Sequence, residues 1–155
     1  MAIYRGCEVP EDLFFDVSRD VWVRFEHGGE VTLGMTDPAQ SRCGRLVSLR
    51  FKKIGREVER GQSLATVESA KWVGPFPAVI SGEILATNES GFRQDILAAN
   101  KDPYGQGWLV RLKPTRLESE GGSLVTGAAA VDRYRERIDA QKLHCYRCAD
   151  EGAGS

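Results

Sequence analysis

Between Gly44 and Lys113 the chain reads as short β segments cut apart by glycine: Gly44–Phe51, Ser63–Ser69, Ala78–Leu85 and Gly107–Leu112. Short strands at regular spacing with turn residues between them point to a sandwich or barrel. The segments also repeat. Gly44-Arg-Leu-Val-Ser-Leu resembles Gly82-Glu-Ile-Leu-Ala-Thr, and Gly61-Gln-Ser-Leu-Ala-Thr resembles Gly105-Gln-Gly-Trp-Leu-Val. Two similar halves around one core imply a flattened barrel or sandwich with a quasi-twofold axis. The junction of the halves is Glu68-Ser-Ala-Lys71-Trp72. Gly44, Gly61, Gly82, Gly105 and Gly107 fall at strand edges, where turns or close backbone approach exclude a Cβ, and are assigned to folding.

The flanks read differently. Residues 1–20 are polar and mixed, with a short apolar patch at Leu13, Phe14 and Phe15. Val21–Phe25 alternates apolar and polar residues like a strand, Glu26-His27-Gly28-Gly29 reads as a turn, and Glu30–Met35 returns. Asp37 is placed to cap a short helix with Pro38 in its first turn. Glu89–Asn100 has room for a helical turn with Phe92, Ile96 and Leu97 on one face. Beyond Pro114 a helix is predicted from about Ala128 to Leu143, capped by Ser123 or Thr126, with Ala128, Val131, Tyr134 and Ile138 on one face. The organisation is then an N-terminal extension (1–20), a β domain (21–114), a C-terminal helical segment (115–149) and a disordered tail (150–155).

Charge excludes several roles. With 21 basic and 22 acidic side chains the net charge is −1, whereas nucleic acid or an anionic membrane demands a basic surplus. No apolar run approaches the roughly 18 residues needed to span a bilayer. The N-terminus lacks a basic region followed by an apolar block, so the chain reads as cytoplasmic. A monomer is expected. An enzyme is disfavoured: there are only two histidines, His27 in a turn and His144 near the end, and no visible nucleophile–base pair.

Four cysteines occur, and without a secretion signal a disulfide framework is not expected. Cys43 reads as a small buried residue, and Cys7 as a free thiol in a loose segment. Cys145 and Cys148 form a Cys-x-x-Cys with three readings: incidental or structural thiols, a redox pair, or half a metal site. A metal would need two further ligands, of which His144 is one and Cys7 another only if the termini meet. A redox pair needs a lowered pKa, and this pair follows a helix, at the wrong end of its dipole. No metal is therefore expected.

Lys71 follows the strand-like Leu64–Ser69 and precedes an extended stretch through Pro75 and Pro77. A hairpin tip there leaves the amine in water. A surface lysine alone means little, since lysines are almost always outside. Its context carries more. Val67-Glu-Ser-Ala-Lys71, followed by Pro77-Ala-Val-Ile-Ser-Gly82-Glu-Ile, resembles the lipoylation hairpin of the glycine cleavage H proteins. Val31-Thr-Leu-Gly-Met-Thr36 with Ala39-Gln40 upstream, and Asn100-Lys-Asp-Pro-Tyr-Gly-Gln-Gly-Trp-Leu109 downstream, match in the same order and approximate spacing. The resemblance runs from about Asp20 to Pro114. It implies a mostly β, lipoyl-domain-like fold (a barrel-sandwich hybrid) with a C-terminal helix, and a non-catalytic carrier with lipoate in amide linkage on Lys71. The extended arm would reach roughly 13 Å from the lysine Cα, by analogy with chain reach. Glu68 is either a recognition residue for the lipoylating enzyme or a solvated turn residue. Trp22, Trp108 and Phe76 are assigned to packing.

Three departures from the family pattern stand out. Trp72 is bulky where small or polar residues are usual, which alters what docks on the hairpin. Ser18-Arg-Asp-Val-Trp22 keeps a tryptophan but loses a histidine. The tail carries His144-Cys-Tyr-Arg-Cys148. These features resemble lipoate-binding proteins associated with heterodisulfide-reductase-like sulfur oxidation. That resemblance implies an arm carrying sulfur-containing intermediates, with a lipoate–protein ligase, a heterodisulfide-reductase-like complex and dihydrolipoyl dehydrogenase as partners. One alternative is a glycine cleavage H protein carrying aminomethyl groups. Another is an unmodified interaction or lipoyl-relay module. A biotin carrier fits poorly, because methionines flank that family's lysine and here Ala70 and Trp72 do.

Overall fold

The computed structural model describes residues 1–149; the tail read as disordered, 150–155, lies outside them. Twelve strands and five α-helices are present among the described residues. At the N-terminus β1 (Ala2–Tyr4) and β2 (Cys7–Val9) form their own antiparallel ribbon. A seven-stranded sheet then gathers β3 (Phe14–Asp16), β4 (Val21–Phe25), β5 (Val31–Met35), β7 (Glu57–Val58), β10 (Gly82–Thr87), β11 (Trp108–Pro114) and β12 (Val125–Thr126) in the order β12-β3-β4-β5-β11-β10-β7. The second sheet contains β6 (Leu46–Phe51), β8 (Ser63–Ser69) and β9 (Val73–Pro77), with β8 central.

Both sheets contribute to one apolar core: Leu64, Val67 and Phe76 from the three-stranded sheet meet Leu33, Ile84, Leu109 and Leu112 from the larger one. The result is a flattened sandwich that does not close into a barrel. The repeat is visible in the pairing, since β6 pairs antiparallel with β8 and β10 with β11. A second core lies under α5 (Gly127–Gln141), where Ala130, Val131, Tyr134 and Ile138 cover Val9, Leu13, Phe15 and Trp22. The Trp22 indole is fully buried and donates to the Pro103 carbonyl at 2.9 Å.

Several expectations shift by local chemistry. Residues 1–20 contribute three strands, and β3 is hydrogen-bonded into the main sheet. Thr36, not Asp37, caps α1 (Asp37–Cys43), its hydroxyl accepting from Ala39 N–H at 3.2 Å. Asp37 is instead fully buried, taking the Glu8 N–H at 2.8 Å and an ion pair from Arg147. Residues 89–100 break into α2 (Glu89–Gln94) and α3 (Ala98–Lys101). Thr126 precedes α5 without capping it, because its hydroxyl donates to Leu13 O at 2.7 Å. A short α4 (Leu117–Glu120) occupies the link after β11. No helix among the described residues is long and apolar enough to cross a membrane.

The cysteines overturn the sequence reading most clearly. Cys7 is neither free nor loose: it is fully buried on β2 and disulfide-bonded to Cys145, 138 residues away. Cys145 and Cys148 therefore do not form a redox pair with each other, and Cys148 is a free buried thiol. The reason is that the termini meet. Cys145 N–H donates to Arg5 O at 2.9 Å, adding the tail beside the β1–β2 turn.

Candidate functional site

Alternation in β8 buries Leu64, Val67 and Ser69 and exposes Thr66 and Glu68, so the strand delivers its last residues to the surface in a fixed orientation. Glu68 pairs with Val73, and Ala70, Lys71 and Trp72 form the turn. Ser69 organises that turn from beneath. Its backbone N–H donates to Trp72 O at 2.8 Å. Its hydroxyl lies 2.5 Å from the Cys43 carbonyl and accepts from Trp72 N–H at 3.1 Å and Lys71 N–H at 3.3 Å. Ala70 N–H donates to Arg45 O at 2.9 Å. The tip is thus anchored to the α1–β6 connection and is not a free loop.

Lys71 is exposed at this tip, as the hairpin reading requires. Its stem lies over Gly44: a Cβ there would sit 3.4 Å from Lys71 Cδ and 3.5 Å from Cε. Gly44 ends α1 at φ +83°, a conformation that disfavours any side chain, so both backbone and space select glycine. Trp72 is 45% exposed and its ring lies across Gly74, leaving no room for a Cβ on β9. Glu68 is exposed and accepts from Ser48 Oγ at 3.1 Å.

Beside the tip is a cavity of about 420 Å³, bounded by Lys71, Trp72, Phe76, Met35, Cys43 and Arg42 among others. Phe76 is thus both a core residue and a cavity wall. Asp20, Arg19 and Arg42 form the polar side of the cavity. Buried Asp20 is paired with Arg42 and lies 3.5 Å from Arg137, and Tyr134 donates to its other oxygen at 3.3 Å. Of the two arginines in this wall, Arg42 is paired with Asp20 and Arg19 with Asp16 at 2.9 Å. Burial, and then the Arg137 guanidinium, hold Arg42 below its ordinary pKa.

Asn100 ties together the α1–β6 connection on which Cys43 and Gly44 sit. Fully buried, it accepts from Leu46 N–H at 3.0 Å and donates to Gly44 O at 2.9 Å and to Gln40 Oε1 at 3.1 Å. Sequence reasoning passed over Asn100, Ser69, Cys43 and the Asp20–Arg42 pair as site residues, because each acts through a partner distant in the chain. Cys145 and Cys148, singled out in the sequence, lie in the tail against α1. Tyr146 O in that tail accepts from Gln40 Nε2 at 2.6 Å, and Arg147 reaches Glu8 Oε2 at 2.7 Å. Among the described residues no group of three or more His, Cys, Asp or Glu is arranged to hold a metal.

Known proteins resemble this arrangement over nearly its whole length. Residues 13–137 match the glycine cleavage H-protein family. Glycine cleavage system H protein 2 of Aquifex aeolicus is 43% identical over 142 residues, which is 92% of this chain and 88% of that protein. A probable glycine cleavage system H protein 2 of Sulfurisphaera tokodaii is 45% identical over 149 residues, covering 95% and 99%. The solved structure of a glycine cleavage system H protein from Mycobacterium marinum superposes with a TM-score of 0.69 at 30% identity, covering 87% of this chain and all of that one. The chain belongs to the glycine cleavage H-protein family, whose members are non-catalytic carriers with lipoate covalently attached to a lysine.

Proposed function

We propose that Lys71 is the lipoyl attachment site and that the protein carries aminomethyl groups between the enzymes of glycine cleavage. The observation that carries this reading is the exposed Lys71 amine at the rigid Ser69-anchored tip, next to a cavity lined by Met35, Val67 and Phe76. The residues fit the group. The amine is accessible to a lipoylating enzyme, and the cavity's 420 Å³ falls within the roughly 300–1,000 Å³ usual for small-molecule sites. When bound, lipoate supplies a sulfur pair that cycles between disulfide and dithiol and takes up a transferable group. Lys71 holds it as an amide and gives up its own charge, Ser69 keeps the tip from folding away, and the apolar walls offer a place sheltered from water. Glu68 and Trp72, exposed on either side of Lys71, are the hairpin residues that a lipoylating enzyme would read. The aminomethyl reading replaces the sulfur cargo placed first on sequence, because the matched relatives carry the names of glycine cleavage H proteins.

The test is incubation of the full chain with a lipoate–protein ligase, followed by peptide mass mapping, then addition of glycine with its decarboxylase, the aminomethyltransferase and dihydrolipoyl dehydrogenase. The expected result is a lipoyl increment on Lys71, absent from Lys71→Arg, and glycine-dependent arm reduction. Mapping of lipoate to another lysine, or none at all, overturns the attachment site and favours an unmodified module.

A further inference from the structure

Four sulfurs lie around α1 and the tail, and two of them are unused by any bond. Cys43, the last residue of α1, lines the same cavity as Lys71. The residue after it, Gly44, is the one over which the Lys71 stem lies. Cys148 approaches α1 from the tail. Its Sγ is 3.4 Å from Gln40 O and 4.0 Å from Ser41 O, within one turn of Cys43. The Cys7–Cys145 bond and the Arg147 pairs with Glu8 and Asp37 hold the tail in that position.

We propose that Cys43 and Cys148 form an internal dithiol that exchanges with the disulfide of the lipoyl arm on Lys71. The inference rests on lipoylation of Lys71. In the first step the Cys43 sulfur, having lost its proton, attacks one arm sulfur. The arm's S–S bond breaks, a Cys43–arm disulfide forms, and the released arm sulfur takes up a proton. In the second step the Cys148 sulfur attacks Cys43. The Cys43–arm bond breaks, Cys43–Cys148 forms, and the second arm sulfur takes up the proton Cys148 lost. Two protein thiols are oxidised, one arm disulfide is reduced, and no outside oxidant is required.

Reach and proximity support this. An arm of roughly 13 Å, by analogy with chain reach, spans a cavity whose wall includes Cys43. Both thiols respond to the same neighbour. Burial pushes each above its ordinary pKa; the unmodified Lys71 ammonium bears on both, which places the attachment nitrogen near both thiols, and that charge is gone once the arm is attached. Burial slows thiol exchange, but a tethered reactant works at an effective concentration on the order of millimolar or higher, which offsets it.

The experiment uses the full chain, lipoylated, with the arm oxidised and then kept anaerobic without reductant. Denaturation in excess iodoacetamide and non-reducing peptide mapping count the free thiols. Expected are alkylation of the two arm sulfurs with Cys43 and Cys148 blocked as a disulfide, where in Lys71→Arg both cysteines alkylate, and in Cys148→Ser a trapped cross-link between the Cys43 and Lys71 peptides that Cys43→Ser lacks. Full alkylation of both cysteines, with the lipoyl increment present on Lys71 and no cross-link, overturns the inference and leaves the carrier reading intact. A Lys71 peptide without the increment overturns both. Should either serine variant fail to fold, the wild-type map decides alone: alkylated arm sulfurs with blocked Cys43 and Cys148 support the exchange, and the reverse overturns it.

Discussion

Asn100 shows how much one buried side chain governs here. It holds the end of α1 and the start of β6 through three hydrogen bonds, and Cys43 and Gly44 sit on that connection. Asn100→Ala orphans Leu46 N–H and Gly44 O, and each orphaned buried group costs about 1–3 kcal/mol. A loss of about 3 kcal/mol in urea unfolding is expected. Tyr104 and Tyr134 set the alkaline limit. Burial raises both phenols above their ordinary 10.0, while the unfolded chain ionises near that value. The unfolded state therefore binds fewer protons above pH 10, so stability is complete below that pH and falls as pH rises past it. Guanidinium midpoints should drop steeply above pH 10, and the drop should be shallower in Tyr134→Phe.

The β8–β9 hairpin is specified locally. Its strands alternate, its turn is three residues long, and Ser69 satisfies the turn from inside. Ser69→Ala removes the hydroxyl bonds to Cys43 O, Lys71 N–H and Trp72 N–H while leaving the strand pairing in place. The expected loss in thermal stability is about 1–2 kcal/mol. A tip that samples several shapes should also be lipoylated more slowly at fixed ligase, measured by intact mass against time. Unchanged lipoylation kinetics would show that the clamp serves the fold alone. The α5 element behaves differently. Val131, Tyr134 and Ile138 were legible from their three-to-four spacing, whereas Ala128 is exposed and Ala130 takes the buried place, and what the face covers (Phe15, Trp22 and Val9) comes from the other end of the chain.

Across the whole molecule the two termini are joined. The Cys7–Cys145 disulfide closes a loop of 138 residues, and in the chain-entropy account a bond closing so long a loop contributes about 5 kcal/mol by restricting the unfolded state. Cys7→Ser should lower the denaturant midpoint by a corresponding amount. Wild-type protein under reducing conditions should match the variant, and a midpoint insensitive to reductant would refute the assignment. The tail that this bond restrains also brings Cys148 to α1.

Local pattern along the chain was enough for the β-rich halves, the glycine-marked turns, the C-terminal helix and the exposure of Lys71. Each depends on periodicity or turn chemistry within a few residues, and such short-range preferences are readable without knowing the fold. Tertiary structure decided the rest. Which cysteine bonds to which, why Asp37 is buried against Arg147, how Asp20 meets Arg42 and Arg137, and why Cys43 shares a cavity with Lys71 all depend on segments far apart in the chain. Nothing in a local pattern encodes such meetings. They arise only when the two sheets and α5 have buried their apolar faces and brought the ends of the chain together.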